Sequence, residues 1–208
     1  MPRQVKTTPR KRPRQERSKA TVDTILAATA RVLVKQGPGG LTTNAVAEAA
    51  GVSIGSLYQY FPNKQALVAA LIETHMSERN ARLLERLAGV ASLPIATAVR
   101  LTIEFMFENH ASNPALKRII LMELSRVGRL ARVLELHAGT YRMVAQLLAA
   151  RKAEVAVEDI DSAAFVLVSA IEAVAHRALF FDPERLRDPR LIEEATTMVT
   201  RYLGVSAG

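Results

Sequence analysis

The chain has no cysteine, which removes disulfides, thiolate zinc sites and cysteine nucleophiles together. Long apolar runs are also missing: the nearest to the roughly 20 residues a bilayer span requires is Ala163 to Ala175, which Glu172 interrupts. The basic N-terminus runs into Asp23 with no apolar region between, so no secretory signal is expected. No segment alternates apolar and polar residues as a strand would, and no repeat appears. HExxH and a glycine-rich phosphate loop are absent too. These absences point to an all-α, cytoplasmic protein that is not an enzyme and needs neither cofactor nor membrane.

What is present is ordinary in amount and uneven in placement. A chain of 208 residues with 49% hydrophobic and 23% charged residues is globular, as one large or two small domains. The net charge is +8, and residues 1–19 hold eight basic side chains against Glu16, leaving +7 there and a nearly neutral remainder. With three prolines and no apolar periodicity, residues 1–17 are expected to be disordered when free. Such an arm, with Arg14 and Arg17 near its end, suits DNA phosphates or a minor groove. The alternative for it is a solubilising tail.

A helix is predicted from Ser18 to Gln36, where Val22, Ile25, Leu26, Thr29, Val32 and Leu33 recur at three and four residues and Gly37-Pro38-Gly39-Gly40 follows. The next stretch, Thr42 to Lys64, reads as two short helices around a glycine turn. Val46, Ala47 and Ala50 form the inner face of the first, and Val52, Leu57 and Phe61 pack back against it. Gly51 suits a left-handed position at a helix end, Thr42 and Ser53 suit N-caps, and Asn63 suits the cap of the following helix. The positive end of that helix, beside Lys64, is an anion site. Ser53, Ile54, Gly55, Ser56, Tyr58, Gln59 and Tyr60 are left for an outer face. The spacing fits a helix-turn-helix, and in isolation it also fits an ordinary helical hairpin.

The string Leu57-Tyr58-Gln59-Tyr60-Phe61 followed by Lys64 resembles the LYxYFxxK signature of the tetracycline-repressor (TetR) family of bacterial transcription regulators. The resemblance is strong from Ala20 to Leu71. It implies a nine-helix architecture: a three-helix DNA-binding domain at 18–63 and a helical ligand-binding and dimerisation domain at 64–208, joined by a helix over 64–87. It also implies that Thr43, Tyr58, Tyr60 and Lys64 contact phosphates, while Ile54, Gly55 and Gln59 face base edges. Ile54 departs from the polar choice usual in the family and favours a thymine methyl.

A predicted helix over 159–181 is apolar on more than one face, and the last helix repeats the theme. By resemblance these two pair with their two-fold mates, through Val166, Ala170, Val174, Ala178, Ala195 and Val199, and a homodimer would read a palindromic operator. A monomeric core is the alternative reading. A small-molecule effector implied by the family would meet Met76, Phe105, Met106, Phe107, His110, Met122, His137, Tyr141 and Phe165, and Leu130, Leu134, Val144 and Leu148 share one helix stripe with His137 and Tyr141. The same residues also read as filled core. The methionines and phenylalanines suit an apolar or aromatic ligand.

The expected function is therefore a DNA-binding regulator, most often a repressor released by its ligand, acting on the bacterial nucleoid. Its rivals are a ligand- or metal-responsive activator, with Glu172, His176, Glu104, Glu108 and His110 as candidate ligands, and a sequence-indifferent DNA-packaging protein.

Overall fold

The computed structural model describes residues 16–124 and 130–205, with side chains for 18–124 and 139–205. Arg14, the side chains of Arg17 and His137, and the basic arm before Glu16 lie outside the described residues. Among the described residues there are nine α-helices and no strand.

Two compact units arise, one drawn from Met1–Met76 and Ala115–Val133, the other from Ser77–Pro114 and Leu134–Gly208. The first contains α1 (Glu16–Gly40), α2 (Thr43–Ala50), α3 (Ile54–Tyr60), the start of α4 (Lys64–Val90), and α6 (Pro114–Glu123). The apolar stripe of α1 folds inward as Ile25, Leu26, Ala28, Val32 and Leu33, joined by Val46, Leu57 and Phe61. Each large side chain so buried contributes about 1.5–3 kcal/mol. Thr29, fully buried in that stripe, donates its hydroxyl to the Ile25 carbonyl at 2.8 Å. The glycine-proline segment kinks α1 at Gly37 (φ 69°, ψ 175°), and a last turn begins at Pro38, where a missing N–H costs nothing. A boundary at residue 64 would give all of α4 to the second unit. The first unit nevertheless includes the opening turns of α4, where Ala66, Leu67, Ala69 and Ile72 are buried.

The second unit holds the rest of α4, α5 (Ile95–Ala111), α7 (Leu130–Ala150) from Leu134 onward, α8 (Ile160–Phe181) and α9 (Pro189–Leu203), with short 3₁₀ turns at Lys152–Glu154 and Pro183–Arg187. Helix α5 packs on α8 and α9. Asp159 caps α8 by accepting from the Ser162 N–H at 3.0 Å, and that bond with the Ser162 hydroxyl holds its carboxyl below the usual range.

By length and composition α8 does qualify as a membrane span, its best window having a mean hydropathy of 1.7, which corrects the expectation that no segment would. Glu172 and Arg177 do not break it because the apolar residues around them keep the mean hydropathy high. In this fold the Glu172 carboxylate is paired, with Arg79 of α4 at 2.7 Å, and Ala163, Ala164, Leu167, Ile171, Ala175 and Leu179 are buried.

Candidate DNA-reading head and ligand chamber

In the first unit, local caps fix the helix-turn-helix. Thr42 Oγ1 accepts the Ala45 N–H at 3.1 Å, Ser53 Oγ accepts the Ser56 N–H at 3.1 Å, and Asn63 Oδ1 accepts the Ala66 N–H at 2.8 Å. Gly51 takes the left-handed conformation at φ 66°, ψ 29°, which lets its N–H and that of Val52 close the end of α2 onto Glu48 and Ala47. Leu57 and Phe61 point inward and leave the opposite face of α3 to solvent. That face carries Ile54, 38% exposed, and Tyr58, 41% exposed, with Gln59, Ser53 and Gly55 also exposed. Ser56 and Tyr60 are half-buried, and the Ser56 hydroxyl lies 2.8 Å from that of Ser53. Thr43 Oγ1 and the Tyr58 hydroxyl stand 3.1 Å apart, and Lys64 is exposed at the start of α4.

Arg31 is a member of this head that the sequence did not single out. Its Nη2 donates to the Ala49 carbonyl at 2.9 Å, tying α1 to the end of α2. Nothing in the helical period of α1 says which polar residue reaches that carbonyl.

In the second unit an apolar chamber of about 130 Å³ is bounded by α4, α5, α7, α8 and α9. Leu83, Leu87, Ile103, Val144, Leu167 and Ile171 are among its walls. Its polar groups are engaged: Thr102 donates to the Ala98 carbonyl at 2.7 Å, Thr140 to Asn80 at 3.4 Å, and Arg151 to Glu154 and the Leu93 carbonyl. The Arg151 hydrogen bond holds the Glu154 carboxyl below its ordinary value.

The expected lining is largely redistributed. Met106, Val144 and Leu148 do line the chamber, whereas Met122 is 58% exposed on α6 of the first unit and Phe165 is 59% exposed on α8. Met76 is buried in the first unit and is not among the chamber's lining residues. Phe105 and His110 line a separate small recess, and Tyr141 packs edge-on against Phe165 with ring centres 6.1 Å apart. The reason is helical phase: an apolar residue type does not reveal which side of its helix faces inward.

The dimerisation set divides in the same way. Ala178, Ala195 and Val199 are buried inside the protomer, Val199 as part of the chamber wall, so they are not a surface. Val166 is exposed, Ala170 and Val174 are half-buried, and Phe165, Phe181, Met198 and Tyr202 are exposed as well. For metal binding, Glu172 is held by Arg79 and Glu104 by Arg100. Among the described residues no three His, Asp or Glu side chains gather in ligating reach.

Residues 25–71 match the family model described as bacterial regulatory proteins, tetR family, and residues 94–203 match that of the tetracyclin repressor-like C-terminal domain. An uncharacterized HTH-type transcriptional regulator, YvkB of Bacillus subtilis, is 43% identical over 65 residues, which is 31% of this chain and 34% of that relative. A TetR-family regulator from Mesorhizobium loti shares the fold at a TM-score of 0.74 and 17% identity, over 90% of this chain and 98% of that one. The multidrug binding protein EbrR, solved with imidazole, does so at a TM-score of 0.64 and 22% identity, over 89% and 96%. With both halves matched, the chain belongs to the TetR family and is a DNA-binding transcriptional regulator rather than an enzyme.

Proposed function

We propose that the protein is a repressor that binds a palindromic operator as a homodimer and is released by a small apolar ligand. The observation that carries the ligand half of this reading is the apolar chamber in the second unit, its polar groups already hydrogen-bonded within the protein. The chamber, about 130 Å³, is slightly smaller than the dry apolar cavity of about 150 Å³ known to bind benzene, so it suits a compact hydrophobic molecule of that order of size. EbrR, of the same fold, was solved with imidazole bound, which supports a small-molecule site in this chain.

On the DNA, Gln59 and Ile54 read base edges, Gly55 admits close approach, and Thr43, Tyr58, Tyr60 and Lys64 hold phosphates. Ser53 and Ser56 border the same face, and the basic arm with Arg14 and Arg17 adds sequence-independent attraction. The exposed apolar side chains of α8 and α9, Phe165, Val166, Met198 and Tyr202, support two-fold pairing through those helices in place of the buried Ala178, Ala195 and Val199. Helix α4 contributes residues to both units and is one covalent path between them. A ligand shifts the DNA-binding equilibrium by its differential affinity for the two states, and by no more.

Selection of bound duplexes from a random pool tests this reading. Enrichment of an inverted repeat bound by two copies, released on adding a chamber ligand, is the expected result. Enrichment of no sequence would favour packaging, and release by metal chelation would favour metal sensing.

A further inference from the structure

Resting on the reading that the chamber takes a small molecule, we propose that this molecule joins an apolar body to one neutral oxygen acceptor, and that Arg79 receives the acceptor in a polar recess beside the chamber. The recess measures about 10 Å³ and is lined by Arg79, Leu83, Phe105, Met106, Asn109 and His110. Leu83 and Met106 line the chamber too, so these two side chains form the wall between the spaces. Met106 is unbranched and flexible, the kind of side chain that can swing aside and join them. A space of this size holds one water or one polar ligand atom.

The chemistry of the recess selects the head group. Arg79 is 9% exposed and donates Nη2 to Glu172 at 2.7 Å. A guanidinium presents five N–H groups in a planar fork; Arg79 lines the recess and meets Glu172 through Nη2, and its remaining N–H groups are the donors assigned to an oxygen placed there. Glu172 already neutralises its charge. A ligand carboxylate would add an uncompensated buried negative charge, which is costly, whereas a carbonyl oxygen accepts a hydrogen bond and adds none. His110 donates Nδ1 to the Met106 carbonyl at 2.8 Å and sets its ring edge-on to His176, which fixes one side of the recess. In the chamber itself Thr102 and Thr140 are committed to protein acceptors, and Arg151 has all three guanidinium nitrogens on Glu154 and the Leu93 carbonyl, whereas Arg79 meets Glu172 through Nη2. An oxygen-bearing ligand is therefore satisfied by crossing the Met106 wall.

Titration calorimetry of the full chain with acetophenone, α-methylstyrene and benzoate, three molecules of similar shape, separates the possibilities. Acetophenone is expected to bind about tenfold or more tighter than α-methylstyrene, the size of effect a hydrogen bond to a charged donor gives, and benzoate weakest. In R79M/E172M, which removes the pair without stranding a charge, the advantage should fall to about twofold while α-methylstyrene keeps its affinity. Met106→Ile, with a stiffer branched wall, should reduce the same advantage and serves if the double variant does not fold. Binding of α-methylstyrene as tight as acetophenone, or an advantage that survives both variants, would overturn the assignment of the head group and leave the chamber intact. Binding of none of the three to the wild-type chain would overturn the chamber reading and this inference with it.

Discussion

The hydroxyls of Thr43, in the first turn of α2, and Tyr58, on the open face of α3, stand 3.1 Å apart. The two helices thus present a joined pair of hydroxyls beside the exposed face of α3, and in the proposed DNA complex one phosphate oxygen would accept from either. Removing the phenolic oxygen with Tyr58→Phe should weaken binding to every duplex by about 1 kcal/mol, the net worth of a neutral hydrogen bond, without altering sequence preference. Fluorescence anisotropy on operator and scrambled DNA measures both quantities.

Two left-handed glycines should respond differently to alanine. At Gly51 (φ 66°) an added methyl meets open space, so the cost is the backbone term alone, about 1 kcal/mol. At Gly204 (φ 70°) the same methyl would lie 2.5 Å from the Ala156 Cβ, and the Ala156 N–H is bonded to the Leu203 carbonyl at 2.8 Å, so neither side yields easily. Gly204→Ala should cost about 2–4 kcal/mol. Urea unfolding of both variants is the check.

The Arg79–Glu172 pair has side chains 11% and 12% exposed. Arg79→Met leaves Glu172 facing the interior without its cation and should destabilise by about 3–5 kcal/mol, while Met at both positions should recover most of that loss. Equal loss in the single and double variants would show that packing, not charge, is what Arg79 supplies. Thermal unfolding with a matched denaturant series measures it.

Features written in short-range spacing were legible in the sequence. The caps at Thr42, Ser53 and Asn63, the turn at Gly51, and the division of α3 into buried Leu57 and exposed Ile54, Tyr58 and Gln59 all follow from residues a few positions apart. Features that depend on how long helices rotate against one another were not. Phe165 and Met122 face solvent, whereas Leu83, Thr102 and Thr140 line the chamber. A helix as uniformly apolar as α8 does not show in its residue types which side is inside, and the same ambiguity put Ala178 on the surface set. Arg31 escaped because its partner, the Ala49 carbonyl, is a backbone atom with no sequence signature.

Acid should loosen the start of α8. The Asp159 carboxyl is held below its usual value by Ser162, so its contribution is present above the unfolded carboxylate range near pH 4 and is lost as pH falls through the lower folded value. Asp159→Asn keeps an N-cap acceptor and should flatten the fall in melting temperature on acidification, relative to wild type. An unchanged acid slope would assign that fall to other carboxylates, Glu154 with its Arg151 partner first among them.

In the proposed complex the exposed face of α3 reads sequence while the start of α4 supplies charge. Gln59→Ala and Lys64→Ala, titrated against the selected operator and against scrambled DNA at several salt concentrations, test it directly. Gln59→Ala is predicted to weaken operator binding by about 1–3 kcal/mol, relax preference at one position per half-site and leave scrambled DNA unchanged. Lys64→Ala is predicted to weaken both duplexes alike and lower the salt slope by about one. Equal losses on operator and scrambled DNA for both variants would contradict sequence reading by this face.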